Sequence, residues 1–410
     1  MEWRRVQNGA RSGSRARLCA TALLLALAVL PSAAQLGSGG DETLIGPPRP
    51  EDASALPPLP PWNPVTLLDE QIDPGEKRRL FLAAGESFAG STVDIPVLVV
   101  RGVAAGPTLC LTAGTHGDEL NGIEIVRRVF ETIGALDLRG MLIGYPVVNL
   151  HGFRASSRYL PDRRDLNRYF PGRPGGSSAS RIANVLFGGL MDDCDFLIDF
   201  HTGSFHRTNL PQIRADLSED RALDLARRFG VGIVVHSYGM RGTLRRAASE
   251  AGLPAITYEA GEPMRFAQEE ISQGVTGVFN LMTSFGMLPG VRGPDTVEVY
   301  HRSRWVRVNE GGIFLTKRRI GETVDGNDVL GTVTDPVTNE RTTLRAPFTG
   351  RIIGMALPQV VIPGFAAFHL GVAALADVPL EPIGTYTGGP EAVDHDALVP
   401  AEQGATEEPE

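Results

Sequence analysis

Between residues 90 and 290, short apolar runs alternate with segments of helical periodicity, and this alternation constrains the fold more than any other feature of the chain. Buried strands are predicted at 97–100, 108–113, 142–148, 196–200, 232–235 and 255–258. Helices are predicted at 120–133, where apolar residues recur at helical spacing, and at 222–229. Strands that alternate with helices predict an α/β fold in which helices cover a sheet.

The segment from about 295 to 375 has a different texture. Its strand-like stretches are interrupted by Gly, Pro, Asp and Asn, with turn signals at 311–312, 325–328 and 349–350, and it carries no helical periodicity. This pattern predicts an all-β region. We therefore expect two domains, an α/β domain over residues 66–292 and a C-terminal β domain over 293–380.

The two ends of the chain have compositions that differ from the middle. Residues 1–34 have the pattern of a cleaved signal peptide, with five arginines before the apolar run 18–30 and small residues at 32–34. That run is shorter than the roughly 20 residues of a membrane-spanning helix, so no stable membrane insertion is expected after cleavage. Residues 35–65 form a Pro/Gly-rich leader and 381–410 an acidic tail that we expect to be disordered. The sequence predicts a secreted or periplasmic protein.

Charge and cysteine content exclude several classes of protein. The 39 Lys and Arg against 48 Asp and Glu give a net charge of −9, which argues against nucleic-acid binding. Three cysteines are too few for a disulfide scaffold or a Cys-rich zinc module. Cys110 and Cys194 are both predicted to lie on strands and would pair in an oxidising compartment if those strands were neighbours. We expect buried free thiols instead, because cysteine packs well as a small hydrophobe.

The segment 108–122 carries the strongest chemical signal. A predicted strand runs into a turn bracketed by Gly114 and Gly117, and a helix follows. His116 and Glu119 are three residues apart at the start of that helix, so their side chains can point the same way. Imidazole and carboxylate are zinc ligands, and catalytic zinc takes three protein ligands with one position left open.

His201 is the best candidate for a third ligand. It ends the predicted strand at 196–200 and is followed by small polar residues. Ligand sites gather at strand ends of α/β sheets, and two histidines with a glutamate are the ligands of thermolysin and carboxypeptidase A. Taken singly, His116 and Glu119 would be interpreted as a surface pair and His201 as bonded to a loop. Two such strand ends in one chain favour a metal site.

Three segments in this order resemble motifs of the succinylglutamate desuccinylase/aspartoacylase family, which are zinc-dependent relatives of the metallocarboxypeptidases. They are His-Gly-Asp-Glu at 116–119, Asp-Leu-Asn-Arg at 165–168 and His-Thr-Gly at 201–203. The resemblance covers roughly residues 90–375. It implies a zinc-carboxypeptidase-like mixed sheet with covering helices and hydrolysis of an N-acyl amide. It also implies one zinc ion (Zn2+) per chain, held by His116, Glu119 and His201.

The Arg-rich segment 157–168 receives its roles from the same resemblance. Arg158 would stabilise the developing oxyanion, and Asn167 and Arg168 would hold a substrate carboxylate, a task that suits the forked guanidinium. Asp165 would accept the second ring N–H of His116 and fix its tautomer. For the neighbouring Arg163 and Arg164 we expect only a solvated surface.

A general base is predicted at Glu259. It ends the apolar strand at 255–258 and resembles the family's strand-end glutamate that is followed by glycine. Such a carboxylate can take a proton from water and pass it to the leaving amine. Glu262, three residues later, is the rival candidate, but a strand end holds geometry better than a loop. The remaining histidines are expected to be structural, although His206 is a candidate for lining the pocket: His151, His206, His236, His301 and His369.

The C-terminal segment has a resemblance of its own. Residues 321–333 and 346–354 resemble the hairpins of biotinyl/lipoyl-like sandwich domains. The turn at 337–340, where a carrier domain would present its modified lysine, contains no lysine. We therefore expect a non-carrier β domain that packs beside the catalytic domain and shapes its entrance.

Three functions remain open from the sequence. The favoured one is an exported zinc-dependent amidohydrolase that cleaves the amide bond of an N-acyl amino acid or related small carboxylate by zinc-activated water. The alternatives are a metallocarboxypeptidase that acts on short peptides and a binding protein that keeps the fold without turnover. The acyl group, the amine and the oligomeric state are not predicted. Arg245 and Arg246 precede Glu259, but neither takes without ambiguity the role of the family arginine that binds an acidic acyl chain.

Overall fold

The computed structural model of the chain describes residues 62–86, 92–290 and 297–372. The predicted signal peptide, residues 35–61 of the predicted leader and the predicted acidic tail lie outside the described residues. In the described part, no helix combines the length and the apolar character needed to cross a bilayer.

The described residues form nineteen strands, six α-helices and a short 3-10 turn. The strands are β1 (Val65–Leu67), β2 (Glu70–Ile72), β3 (Lys77–Glu86), β4 (Thr92–Arg101), β5 (Ala104–Thr112), β6 (Arg139–Tyr145), β7 (Phe196–His201), β8 (Arg207–Ala215), β9 (Ile233–His236), β10 (Ala255–Gly261), β11 (Glu298–Tyr300), β12 (Arg302–Arg307), β13 (Gly312–Thr316), β14 (Thr323–Val324), β15 (Val329–Thr334), β16 (Arg341–Arg345), β17 (Gly350–Ala356), β18 (Gln359–Val361) and β19 (Ala366–Val372). The helices are α1 (Leu120–Thr132), α2 (Leu150–Ala155), α3 (Ser178–Asp193), α4 (Asp220–Phe229), α5 (Leu244–Glu250) and α6 (Gln268–Ser284), and the 3-10 turn is Leu166–Arg168.

A large mixed sheet organises these elements. Its main path runs in the order β12-β19-β17-β8-β10-β7-β5-β6-β4-β3, with β9, β11 and β14 attached at its side. The central strands β10, β7, β5 and β6 are mutually parallel, whereas β8 pairs antiparallel with β10 and β4 antiparallel with β6. The predicted α/β fold is therefore confirmed, and every predicted strand and helix overlaps an observed one.

Helices cover the sheet on both faces. On one face α1, α4 and α6 bury an apolar cluster that includes Val126, Phe229 and Leu281. On the other face α3 and α5 bury a second cluster that includes Leu186 and Leu244. Both clusters are built from strand residues that alternate sides of the sheet, so burial on two faces explains why the central strands are continuously apolar in sequence.

The region that was predicted to be all-β contains only strands among its described residues, 297–372. Strands β12, β17 and β19 extend the large sheet through the pairing of β17 with β8, while β16, β15, β13 and β18 form a separate four-stranded antiparallel sheet. A third apolar cluster around Phe314 and Phe368 joins the two. The predicted boundary at 292/293 falls between residues 290 and 297, outside the described residues.

The prediction of free thiols is wrong. Cys110 and Cys194 form a disulfide across Cα atoms 5.8 Å apart. Cys194 is also not on a strand but is the residue at which α3 ends, just before β7. Because β7 pairs with β5, the start of β7 lies beside the middle of β5, and the two cysteines meet.

Candidate metal centre and its cavity

Three neighbouring parallel strands deliver the predicted functional residues to one edge of the sheet. His116 and Glu119 lie in the turn between β5 and α1, and His201 is the last residue of β7. Glu259 is directly opposite His201 in the register of β10 and β7. Since β5, β7 and β10 are adjacent and parallel, their carboxyl ends lie together, which is where ligand sites form in such sheets.

Two glycines allow the tight turn after β5 that presents His116 and Glu119. A Cβ atom on Gly117 would lie 1.9 Å from the backbone carbon of Gly152 in α2, so only glycine allows this close approach. Gly114 has a φ of +61°, a left-handed conformation that favours glycine. The two glycines therefore fix the path of the backbone that presents His116 and Glu119.

His116, Glu119 and His201 converge around one point. The Glu119 carboxylate lies between the two imidazoles, with Oε1 2.7 Å from Nδ1 of His116 and Oε2 2.8 Å from Nδ1 of His201. All three side chains are buried, and their candidate ligand atoms lie within 4.8 Å of one another. The three residues that the sequence selected are thus brought together.

Each histidine is also held from behind by a carboxylate. Nε2 of His116 lies 3.0 Å from Oδ1 of Asp165, and Nε2 of His201 lies 2.8 Å from Oδ2 of Asp199. A carboxylate at the ring nitrogen that does not bind the metal is the usual support of a metal-binding histidine. It fixes the tautomer of the imidazole and orients the other nitrogen, here Nδ1, towards the metal position. This donor set and its supports fit a zinc ion at His116, Glu119 and His201.

Asp199 was not predicted. It lies two residues before His201 on β7, and the hydroxyl of Thr112 on β5 donates to its Oδ1 over 2.8 Å. The period of two along a strand places Asp199 and His201 on the same side. The alternation of side chains along the predicted strand was therefore the sequence signal that could have identified Asp199.

The electrostatics of the cluster reflect its burial and its close charges. Burial raises the pKa of Glu119, but the imidazoles of His116 and His201 outweigh burial, and the net effect lowers that pKa well below its usual range. Burial lowers the pKa of His201, yet Asp199 and Glu119 raise it further, to well above the ordinary value. Glu119 is therefore ionised at neutral pH, and its negative charge lies between the two imidazoles.

Arg158 lies against this cluster. Its Nη1 donates to Oε1 of Glu119 over 3.2 Å, while Nε and Nη2 donate to Oδ2 of Asp165 over 3.1 and 2.8 Å. The guanidinium is buried and is held at the metal ligands by two carboxylates. It therefore places a fixed positive charge at the edge of the candidate metal centre.

The cluster opens into a polar cavity of about 320 Å³. Five arginines and three carboxylates line it, in addition to four histidines that include His116 and His201: Arg158, Arg168, Arg207, Arg214, Arg245, Glu119, Asp199 and Glu259. The excess of cationic side chains favours an anionic ligand. We call this space the polar cavity.

The predicted carboxylate-binding residues line the polar cavity. Asn167 and Arg168 reach it from the 3-10 turn, with the Asn167 Oδ1 accepting the N–H of Leu244 over 2.8 Å, which fixes the orientation of the amide. Arg163 and Arg164 do not line it, and Arg164 pairs with Asp162 on the surface instead.

Glu259 also lines the polar cavity. Asn209 donates to its Oε2 over 2.7 Å, and Arg214 lies 3.0 Å from the same oxygen. Glu262 is not among the lining residues and pairs with Arg265 over 2.6 Å. Of the two candidate bases, the geometry thus favours Glu259.

The far wall of the polar cavity comes from residues to which the sequence assigned no role in the cavity. Arg245 on α5 is buried there and donates to the carbonyl of Ser237 over 2.9 Å. Burial, reinforced by Arg214, lowers its pKa to about 10, so it stays charged at neutral pH. Trp305 and His369, from β12 and β19, stack with ring centroids 4.4 Å apart and complete the wall.

A buried His-Glu-His cluster at adjacent strand ends, beside an arginine-lined cavity, defines a candidate hydrolytic metal centre on a mixed α/β sheet. Residues 105–285 match the family model described as the succinylglutamate desuccinylase/aspartoacylase catalytic domain. Over these residues the chain is similar to that family, as the sequence motifs predicted.

Individual relatives agree with this placement. The N-alpha-acetyl-L-2,4-diaminobutyric acid deacetylase of Halomonas elongata is 28% identical over 265 residues, which cover 62% of this chain and 77% of the relative. A crystal structure of a succinylglutamate desuccinylase from a Silicibacter species is 27% identical, with a TM-score of 0.68 over 76% of this chain and 98% of that one. The product-bound ectoine utilization protein EutE (DoeB) from Ruegeria pomeroyi is also 27% identical, with a TM-score of 0.67 over 72% and 95% of the two chains.

Proposed function

We propose that this chain is a zinc-dependent hydrolase that cleaves the amide bond of an N-acyl amino acid. The observation that carries the proposal is the convergence of His116, Glu119 and His201, with Asp165 and Asp199 behind the two imidazoles. The names of the relatives, a deacetylase and a desuccinylase, support an N-acyl amino acid as the substrate.

In this proposal His116, Glu119 and His201 hold one zinc ion. When bound, zinc supplies a Lewis acid that polarises the acyl carbonyl and lowers the pKa of water to near 7. Glu259 takes a proton from the attacking water, and its position opposite His201, with Oε2 held by Asn209 and Arg214, supports that role. The C–N bond then breaks, and Glu259 returns the proton to the leaving amine.

In this proposal three arginines interact with the negative charges of the substrate and of the transition state. The Arg158 guanidinium, next to Glu119, stabilises negative charge that develops on the carbonyl oxygen. Arg168 and the amide of Asn167 bind the substrate carboxylate, and the buried Arg245 adds charge at the far wall. The carboxylate is thus held at a fixed distance from the scissile bond, which orients the amide for attack.

We further propose that the chain is exported and that residues 66–292 form a carboxypeptidase-like catalytic domain. Residues 293–380 form a non-carrier β domain of the biotinyl/lipoyl type, which supplies Trp305 and His369 to the cavity wall. The Cys110–Cys194 disulfide supports export, because disulfides persist in oxidising compartments. Intact-mass analysis of protein recovered from the periplasm or medium tests this: a mass that retains residues 1–34 contradicts it.

The catalytic proposal is tested with zinc-loaded protein and a panel of amino acids, each as the N-acetyl and the N-hexanoyl derivative. We expect hydrolysis of at least one derivative and a loss of kcat of about 10²–10⁴-fold in Glu259→Gln. The control is Glu262→Gln, which changes a carboxylate outside the cavity and should keep wild-type turnover. Wild-type turnover in Glu259→Gln would disprove the mechanism, and hydrolysis of free peptides alone would favour a carboxypeptidase.

A further inference from the structure

A second cavity adjoins the polar cavity and has the opposite character. Its volume is about 570 Å³, and much of its wall is apolar: Phe205, Pro263, Met264, Ile362 and Phe365. Met264 and Ile362 are 51% and 59% exposed, so large apolar side chains face solvent here. We call this space the apolar cavity.

The two cavities share part of their walls. Arg158 and Arg207 line both of them. Arg158 touches Glu119 on the polar side, so the apolar cavity begins next to the candidate metal ligands. In this inference, a ligand whose amide lies at His116, Glu119 and His201 extends past Arg158 and places its other end in the apolar cavity.

The distribution of charge orients such a ligand. Arg168, Arg214 and Arg245 line the polar cavity but not the apolar one. A substrate carboxylate is therefore drawn into the polar cavity. The acyl group, on the opposite side of the amide bond, is left to face Phe205, Met264 and Ile362.

The backbone around the apolar cavity is held in an unusual conformation. Phe205, His206 and Met264 have φ of 52°, 55° and 62°, in the left-handed region that non-glycine residues seldom occupy. Neighbouring elements fix these residues. The carbonyl of His206 accepts bonds from the N–H of Leu357 and the side chain of Gln359, and the N–H of Met264 donates to the carbonyl of Asp118. Strained residues that are fixed in this way cluster at ligand sites, so the conformation points to a built wall.

We propose that the apolar cavity binds the acyl chain of the substrate and selects apolar chains longer than acetyl. This inference rests on the proposed function and narrows its substrate class to N-acyl amino acids with an aliphatic acyl group. An acetyl methyl group leaves the apolar cavity almost empty. Each further methylene that is buried there contributes about 0.8 kcal/mol, which corresponds to about fourfold in kcat/KM.

The test is a series of acyl chains on one leaving amino acid, the one with the highest turnover in the panel described above. N-acetyl, N-butanoyl, N-hexanoyl, N-octanoyl and N-succinyl derivatives are compared by kcat/KM on the zinc-loaded full chain. We expect kcat/KM to rise by about fourfold per methylene until the cavity is filled. A flat series, or a maximum at succinyl, overturns this inference and leaves the proposed function standing. Absence of hydrolysis across the whole panel would instead remove the proposed function.

Substitutions in the wall of the apolar cavity test whether the acyl chain binds there. Met264→Asn removes apolar surface with a residue that tolerates the left-handed φ of Met264, and Ile362→Asn removes apolar surface from a different loop. For both we expect the ratio of octanoyl to acetyl kcat/KM to fall by about tenfold. Leu136→Asn is the matched control, because Leu136 is 75% exposed and lines neither cavity. An unchanged ratio in both variants, or faster cleavage of a dipeptide with an apolar N-terminal residue than of the octanoyl substrate, contradicts the proposal.

Discussion

The polar cavity has two sides that were built in different ways. On the metal side, His116 and Glu119 come from the turn after β5 and His201 from the end of the neighbouring parallel strand β7, and each histidine is supported by a carboxylate. On the arginine side, Arg214 and Arg245 come from β8 and α5, and the wall is completed from β12 and β19. The metal side is assembled at the ends of two paired parallel strands, whereas the arginine side adds β8, α5 and the strands β12 and β19 from near the end of the described residues.

The comparison separates two kinds of function within one cavity. The metal side has its charges paired inside the protein, through Glu119, Asp165 and Asp199, so its geometry is fixed before any ligand arrives. On the arginine side, Arg214 pairs with Glu259, and Arg168, Arg207 and Arg245 also line the space. We expect metal affinity to depend on the first side and recognition of the substrate carboxylate on the second, with little coupling between them.

The largest expected effect is on the metal side. Asp199→Asn removes the carboxylate that lies 2.8 Å from Nε2 of His201, and we expect zinc affinity to fall by 10–100-fold because the imidazole loses its orientation. Titration against a chelator of known affinity measures the change. Asp162→Asn, which changes a carboxylate paired with Arg164 outside the cavity, is the control. Equal zinc affinity in Asp199→Asn and wild type would show that the support of His201 does not matter.

A smaller effect is expected on the arginine side. Arg245→Gln removes a buried charge from the far wall, and we expect KM to rise by roughly tenfold, at the low end of what a charged hydrogen bond contributes. Zinc affinity should stay at the wild-type value. Arg246→Gln is the matched control, since the adjacent Arg246 pairs with Glu250 away from the cavity. A loss of zinc affinity in Arg245→Gln as large as in Asp199→Asn would break the separation of the two sides.

The smallest expected effect is on the pH dependence of the free energy of unfolding, through His369 on β19. Burial, together with Arg214, holds the pKa of His369 well below its ordinary value of 6.5. The folded state keeps His369 neutral, whereas the unfolded chain takes up a proton below pH 6.5, so stability is lost as the pH falls through and below 6.5. We expect wild type to lose up to about 1.4 kcal/mol per pH unit more than His369→Gln.

Urea unfolding of both proteins at pH 7.5 and pH 5.5 measures this difference. The histidines at the metal centre are the same in both proteins, so their contribution cancels in the comparison. Parallel losses of stability in wild type and His369→Gln would show that His369 is not the group that titrates.

The sequence predictions were correct for features that depend on residues close together in the chain and wrong for a contact between distant residues. The strands and the turn that carries His116 and Glu119 were predictable because their periodicity and spacing lie within a few residues. The disulfide was not, since Cys110 and Cys194 are 84 residues apart and meet only because β5 and β7 pair. The helices α3 and α6 were also missed, although both are now seen to cover the sheet.

By itself, the sequence indicated the alternation of strands and helices that defines the α/β fold, the turn after β5 and three metal-ligand candidates, because these depend on patterns along the chain. Only the tertiary structure decided which strands are neighbours, and therefore which arginines enter the cavity and where the apolar wall of Met264 and Ile362 lies. The physical reason is that pairing of distant strands brings together residues whose separation along the chain carries no trace of their contact.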